Sequence, residues 1–367
     1  MKSRKIMILA NDTTYVYNLR REIIQALIAK GDTVTLVGNL LLFQDELKQM
    51  GCKLIDLATK RQGTNPVDDL VLFRKYLKIL RNEQPDVVLS YNIKPNVYGG
   101  LACRLRKVRY LPNITGLGTA VEYPGKMQAL TTRLYKMGVA GAESVFFQNS
   151  ENEAFFRDRN MLSPKSRAVL LPGSGVNLIT HPVLPYPQDE KIHFLFVARV
   201  MKEKGIDQYL ETAKTLRAER QDVVFHICGG CDDPVYEEIL KKAHNDGVVE
   251  YHGQQKDMLP FWQQAACIVN PSYYPEGMSN VLLEAASCGR PIIVADRSGC
   301  RETVEHKKTG YLVPIRDTQA VIDAVREFLN LSWEQRQAMG LAGRAKMEKE
   351  FDRRIVVEKY VEELEKL

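Results

Sequence analysis

Residues 170–190, "LLPGSGVNLITHPVLPYPQDE", decide how the fold is read. Pro172, Pro182, Pro185 and Pro187 stand in this stretch with Gly173 and Gly175, and no hydrophobic period runs through it. Proline lacks a backbone donor and turns the residue before it away from helix, so the segment reads as a linker. On both sides of it, short apolar runs alternate with helical patterns. Upstream, strands are expected at 5–11 ("KIMILAN"), 33–38, 53–57, 86–91, 108–114 and 144–149, separated by helical stretches such as 17–30, 67–82 and 126–141. Downstream, strands are expected at 192–198 ("IHFLFVA"), 222–229, 248–253, 266–272, 290–296 and 310–314. Strands flanked by helices in this way imply parallel sheets covered on both faces. The expected architecture is therefore α/β, with two doubly wound, Rossmann-like domains at 1–178 and 191–350 joined by a linker at 179–190. A C-terminal helix at 351–367, with Ile355, Val356, Tyr360 and Leu364 along one side, is suited to pack back toward the first domain. Sheets of this kind bind ligands beyond their carboxyl ends, so a cleft is expected where two such rims face each other.

Composition narrows the class. The chain has 367 residues, 45% hydrophobic and 26% charged, which suits a soluble globular protein of two domains. No apolar run reaches the roughly eighteen residues a spanning helix needs. The opening "MKSRKIMILAND" turns polar too soon for a signal peptide and reads as a first strand. Seven cysteines, scattered and odd in number, point to a reducing cytoplasm and against a disulfide framework. Cys228 and Cys231 form a lone CxxC, read as the turn-rich end of a strand, and the six histidines show no zinc spacing. Charge is unevenly divided: residues 1–180 hold 26 Lys and Arg against 15 Asp and Glu, and the remainder 25 against 30. The basic half suits an anionic partner such as a phosphorylated substrate, acidic lipid or nucleic acid, and drift in solvated surface charge is the plain alternative. No aromatic-interleaved basic motif or known binding module favours nucleic acid.

Chemistry enters at Pro275–Ala286, "PEGMSNVLLEAA". Gly277 permits a tight turn, and Ser279 or Asn280 can cap a helix reaching about Cys288. The mouth of that helix offers backbone N–H groups and a positive dipole end, both suited to phosphate. Glu276 stands at the mouth, and Glu284 lies about one and a half turns inside, among Val281, Leu282, Leu283, Ala285 and Ala286. A carboxylate there could accept both hydroxyls of a ribose, or it could form a buried ion pair with Arg290 or Arg301. A second cluster, "FLFVARVMKEKG", ends a strand and delivers Arg199, Lys204 and Gly205 to the start of the next helix. Two cations at a strand's carboxyl end are placed for a diphosphate. Surface solvation accounts equally for Lys202 and Lys204, but poorly for Arg199, which directly follows an apolar run.

Taken together, "VARVMKEKG" and "PEGMSNVLLEAASCGRPIIVAD" resemble the nucleotide-sugar site of the retaining GT-B glycosyltransferases, family 4, in which an R-x4-K pair precedes an E-x7-E pair. The resemblance runs along nearly the whole chain. "NIKPNVYGGLACRLRKV" and "NITGLG" narrow it to the subgroup that extends undecaprenyl-diphosphate-linked sugars for capsule, O-antigen or protein glycosylation. It implies a GT-B fold, two Rossmann-like domains facing a central cleft, and a UDP-sugar donor. Arg199 and Lys204 would neutralise the donor diphosphate, and Glu284 would hold the ribose. Glu276 would contact the hexose, while the backbone of Gly277, Met278, Ser279, Asn280 and Val281 faces sugar and β-phosphate. Gly253, Gln254 and Gln255, following His252, would frame the uracil. The resemblance also implies that no metal or other cofactor is required, and the sequence contains no Asp-x-Asp pair of the kind metal-dependent transferases use.

The first half departs from the wider family in two places. Its opening loop, "NDTTYVYNLR", lacks the double glycine that often approaches the donor, and Thr115 stands where many relatives carry histidine. Both departures leave the donated sugar open. Lys94, Asn113, Thr115 and Gly116 follow strand ends and are expected at the acceptor, with Lys94 either on the acceptor diphosphate or simply solvated. Arg104, Arg106, Lys107 and Arg109, together with Lys126, Arg133 and Lys136 beside Met127, Leu130, Leu134 and Met137, suit an anionic membrane surface. A core-facing helix with a solvated rim is the other reading. The expected protein is a peripheral enzyme on the inner face of the cell membrane. It would transfer a hexose or N-acetylhexosamine (GalNAc, GlcNAc or Gal) to a lipid-diphosphate-linked saccharide with an α-linkage. A UDP-sugar epimerase of the same architecture and a catalytically silent nucleotide-sugar-binding module are the competing readings.

Overall fold

The structure is a computed structural model describing residues 3–58 and 65–367. The chain divides into two compact units, one of residues 1–174 with 353–367, the other of residues 175–352. Each is built on one sheet in which every strand pairing is parallel.

In the first unit the strands are β1 (Lys5–Asp12), β2 (Thr33–Asn39), β3 (Lys53–Asp56), β4 (Val87–Tyr91), β5 (Arg109–Ile114), β6 (Ser144–Phe147) and β7 (Arg167–Leu170). Their order is β3-β2-β1-β4-β5-β6-β7. Strand order reverses between β1 and β4, the switch point of a doubly wound sheet. The central strands read as near-continuous apolar runs because helices cover both faces; all five residues of β4, "VVLSY", are buried. The sequence reading missed β7, whose "RAVL" is too short to show a period and is only half-buried.

The second unit holds β8 (Ile192–Val197), β9 (Val223–Cys228), β10 (Glu250–Tyr251), β11 (Cys267–Asn270), β12 (Ile292–Ala295) and β13 (Gly310–Val313), in the order β10-β9-β8-β11-β12-β13. Here the switch point lies between β8 and β11. Residues 175–190 belong to this unit, so the proline-rich stretch is largely a strap on the second unit. Tyr186 is buried and donates its hydroxyl hydrogen to the carbonyl of Ala266, and Pro187 O accepts from the Trp333 indole.

The helix Arg353–Glu365 packs within the first unit, burying Val356, Tyr360 and Leu364 in a core with Ile24, Leu27, Tyr91 and Phe146. Its polar groups are tied down as well. Arg353 pairs with Glu22 at 3.1 Å, and Glu363 accepts from Arg167 at 2.9 Å. Among the described residues, no helix is long and apolar enough to cross a membrane, and all seven cysteines are free, six of them buried.

Candidate active site

The site is assembled at the switch point of the second sheet. As β8 ends, Ala198 is followed by Arg199, exposed on the rim, and by Val200, whose N–H donates to Gly230 O at 2.8 Å. A single 3₁₀ turn over Lys202–Lys204 then closes on Gly205. Gly205 has φ +81°, and a Cβ built on it would lie 2.4 Å from Pro271 O, so only glycine lets this loop lie against the end of β11.

Beyond β11 the chain runs through Pro271–Ser272–Tyr273–Tyr274 to Glu276. This second loop is fastened to the first. Tyr273 N–H donates to Glu203 O at 2.9 Å, and Ser272 Oγ lies 3.5 Å from the same carbonyl. Across that seam the Lys204 ammonium pairs with the Glu276 carboxylate. The same ammonium lies 4.8 Å from the centre of the Tyr274 ring. Burial pushes the Lys204 ammonium down to about 8, and the nearby Arg199 guanidinium pushes in the same direction. Lys204 is thus a desolvated, positioned cation, not the solvated lysine that its charged neighbours in sequence allow.

Helix Asn280–Ser287 begins four residues after Glu276, with Ser279 as N-cap and Cys288 as C-cap. The Ser279 side chain makes no capping bond; its backbone N–H donates to Gly299 O at 2.8 Å. The first-turn amides have no acceptor within the helix, as at any helix start. Asn280 Oδ1 is buried without a hydrogen-bond partner beside them. Met278 is 5% exposed and packs with Val176, Leu283 and Phe351, so its side chain serves the core and only its backbone belongs to the rim. Val281 packs half-buried against the core of the unit. Glu284 is half-buried, less enclosed than its apolar neighbours suggest. Of the arginines weighed as its partner, Arg290 is fully buried and donates to the carbonyls of Trp262 and Pro185 at 2.6 and 2.7 Å. Arg301 pairs with Asp296 at 2.7 Å.

The turn after β10 lies alongside. Gly253 O accepts from Gly229 N at 2.8 Å, and Gln255 donates its amide back to His252 O. Gln254 is exposed beside Gly230. Arg199 and Lys204 after β8, Glu276 after β11 and Gly253–Gln255 after β10 thus follow the carboxyl ends of strands of one sheet, with Lys204 and Glu276 in direct contact and Glu284 on the helix that follows.

The first unit places its expected residues less uniformly. Thr115 and Gly116 are half-exposed beyond β5, where Gly116 has φ +130°. Lys94 is not a solvated cation: it pairs with Asp69 at 2.9 Å, and Asp69 also accepts from Tyr98 Oη at 2.7 Å. Asn113 does not take its expected place. Instead of facing an acceptor it is fully buried, donating from Nδ2 to Tyr360 Oη at 2.5 Å while its carbonyl accepts from Asn96 at 2.8 Å. Its alternation along β5 turns it to the face that the C-terminal helix covers. The basic helix Lys126–Val139 turns Thr131, Tyr135, Gly138 and Val139 inward. Met127 and Leu130 are 55% and 53% exposed, and Met137 is also exposed, between exposed Lys126, Arg133 and Lys136.

Comparison with known proteins agrees along most of the chain. Residues 184–346 match the family "Glycosyl transferases group 1", and residues 5–149 match "Glycosyl transferase 4-like". An N,N'-diacetylbacillosaminyl-diphospho-undecaprenol alpha-1,3-N-acetylgalactosaminyltransferase of Campylobacter jejuni is 26% identical, over 97% of each chain. A capsular polysaccharide biosynthesis glycosyltransferase, CapM of Staphylococcus aureus, is 23% identical over 85% of each. Among solved structures, Anabaena HepE in complex with UDP-glucose superposes with a TM-score of 0.79, covering 99% of this chain and 100% of its own, at 15% identity. With two doubly wound sheets and a family match in each half, the chain belongs to the glycosyltransferases of GT-B fold, group 1 in its second half and 4-like in its first.

Proposed function

We propose that this chain is a retaining glycosyltransferase. It moves a hexose or N-acetylhexosamine from a UDP-sugar to a lipid-diphosphate-linked saccharide, forming an α-linkage in the assembly of a bacterial surface polysaccharide or related glycan. One observation carries the reading: two loops leaving the switch point are fastened together so that Lys204, Arg199 and Glu276 share one rim beside a helix mouth. A nucleoside diphosphate fits that rim. Arg199 and Lys204 neutralise its phosphates, and the first-turn amides of Asn280–Ser287 add oriented donors. Glu284 takes the ribose hydroxyls, Glu276 a hydroxyl of the hexose, and Gly253–Gln255 the base.

In the donor-free state Glu276 holds the Lys204 charge in place. When the donor arrives, its diphosphate takes over that cation and frees Glu276 for the sugar. As the bond from the anomeric carbon to the phosphate oxygen breaks, negative charge grows on the leaving UDP, and the two cations stabilise it without rearranging. The departing phosphate oxygen accepts the acceptor hydroxyl's proton on the same face, and the acceptor oxygen bonds to the anomeric carbon with retained configuration. No metal is needed for this step, because two side-chain cations neutralise the diphosphate.

The relatives favour this substrate class. The Campylobacter jejuni enzyme is named for transfer to a diphospho-undecaprenol-linked sugar, and the Anabaena protein was solved with UDP-glucose. The exposed basic and apolar face of Lys126–Val139 would hold the enzyme at the cytoplasmic surface of an anionic membrane, where such an acceptor is anchored. The test is a panel of UDP-sugars with and without lipid-diphosphate-linked acceptors, following UDP release and product mass. Acceptor-dependent UDP release with an α-linked product is expected. Conversion of the UDP-sugar without acceptor would replace transfer by epimerisation, and the absence of any product would leave a binding module.

A further inference from the structure

Three histidines from three neighbouring segments of the second sheet lie in a row. His193 is on β8, His226 on β9, and His252 follows β10. His193 Nδ1 is 2.8 Å from His226 Nε2, and His226 Nδ1 is 3.0 Å from His252 Nε2. Parallel pairing sets Glu250 opposite His226, and its carboxylate closes the row from the edge strand. Glu250 Oε2 lies 3.3 Å from His226 Nδ1 and 3.9 Å from His252 Nε2.

These three atoms form a triangle whose sides suit one ion. With those separations, the point equidistant from the three atoms lies about 2.0 Å from each, the usual length of a zinc–nitrogen or zinc–oxygen bond. Two imidazoles and one carboxylate are a donor set for zinc-class divalent metals, and exposure rises from 5% at His226 to 27% at His252 and 53% at Glu250, which leaves an entry path. His193 Nδ1 lies within hydrogen-bond reach of the nitrogen of His226 that would face away from the ion, so it can fix the orientation and tautomer of that ring.

We propose that His226, Glu250 and His252 form a binding site for a divalent transition metal of the zinc class, with a further coordination position open to solvent. In the metal-free protein one of the two facing nitrogens carries the proton shared between His226 and His252. Binding moves that proton to the far nitrogen of the same ring, so the imidazoles stay neutral and both lone pairs turn to the ion. On His226 the displaced proton sits on Nε2, where His193 Nδ1 accepts it. The ion is separate from the transfer chemistry. It would cross-link β9 to the two-residue edge strand β10 and anchor His252, whose carbonyl holds Gln255.

The experiment uses the full chain stripped with chelator and dialysed, titrated with Zn²⁺ by calorimetry and with Co²⁺ by visible absorption. One equivalent of Zn²⁺ per chain and a Co²⁺ spectrum of low coordination number are expected. His252→Ala and Glu250→Gln, both at partly exposed positions and checked for folding by circular dichroism, should each weaken binding by tenfold or more. Cys231→Ser should leave it unchanged, since the site uses no thiol. Absence of stoichiometric binding, or binding unaffected by His252→Ala, overturns the proposal and leaves the histidine row as a hydrogen-bonded stack.

Discussion

The two sheets follow the same winding rule, and their switch points are finished with different chemistry. At the rim of the first, between β1 and β4, the chain meets itself through neutral groups: Asn11 N–H donates to Asn92 Oδ1 at 3.2 Å. The cation nearby, Arg20, is fully buried, donates to Tyr15 Oη at 2.9 Å and lies 4.6 Å from the Tyr91 ring centre. At the rim of the second, between β8 and β11, Arg199 is exposed and Lys204 is paired with Glu276. Topology supplies a crevice in both units: Lys94 follows β4 paired with Asp69 at the first, whereas the second brings an exposed Arg199 close to Lys204, so the fold alone does not say which rim suits an anion. An arginine enclosed by tyrosine rings is packing; a lysine held at a rim by one carboxylate can exchange that partner for a phosphate.

Four changes would break or sharpen this contrast. The largest effect is expected at Arg199. Arg199→Ala removes an exposed side chain, so the fold should persist while turnover falls on the order of 10²–10³. Wild-type UDP release from a folded variant would remove the donor site from the second rim. Next is the basic face of the first unit. Replacing Lys126, Arg133 and Lys136 together by Glu should release the protein from anionic vesicles, each lost cation weakening binding by up to roughly 1 kcal/mol. Wild-type binding should itself fade as salt is added, since surface charge is screened within about 10 Å at 0.1 M. Sedimentation that ignores both changes would leave this unit without a membrane role.

Gly205→Ala should cost about 1–3 kcal/mol in denaturant unfolding, because backbone strain is joined by collision with Pro271 O. Gly31→Ala in the first unit, where φ is +86° and a Cβ would meet nothing within 4 Å, isolates the strain and should cost less. Equal losses would mean that the loop against β11 is not held tightly. The smallest effect is in pH. With Lys204 pushed down to about 8, its charge disappears as pH rises through that value. The KM for donor should then rise by up to about tenfold per pH unit above it. Lys204→Arg keeps its charge across the range and should flatten the rise. A wild-type KM that does not change through pH 8 would show that Lys204 carries no donor charge.

Much of the fold was legible because parallel strands covered by helices leave short apolar-rich runs between helical patterns, and the twelve expected runs each matched a strand. β7 was not, since its four residues carry no period. The second-unit site was legible for a related reason. Arg199, Lys204 and Glu276 lie close along the chain to strand ends, and those ends bring them to one rim, while Glu284 sits on the helix that follows. Asn113 misled because a strand-end position does not tell which face is covered, and the cover came from Tyr360 of the C-terminal helix. The pairing of Lys94 was not legible because Asp69, its partner, is on another helix.

The sequence by itself determined two doubly wound sheets and a cation–carboxylate constellation at the carboxyl end of the second. Apolar period and local spacing are properties of neighbours along the chain. Tertiary structure alone decided that Lys204 would be half-buried against Glu276, that Asn113 would face the core, and that His193, His226, Glu250 and His252 would line up. Each depends on which strands pair and in what register. The cross-strand hydrogen-bond ladder fixes that only when the chain has closed on itself.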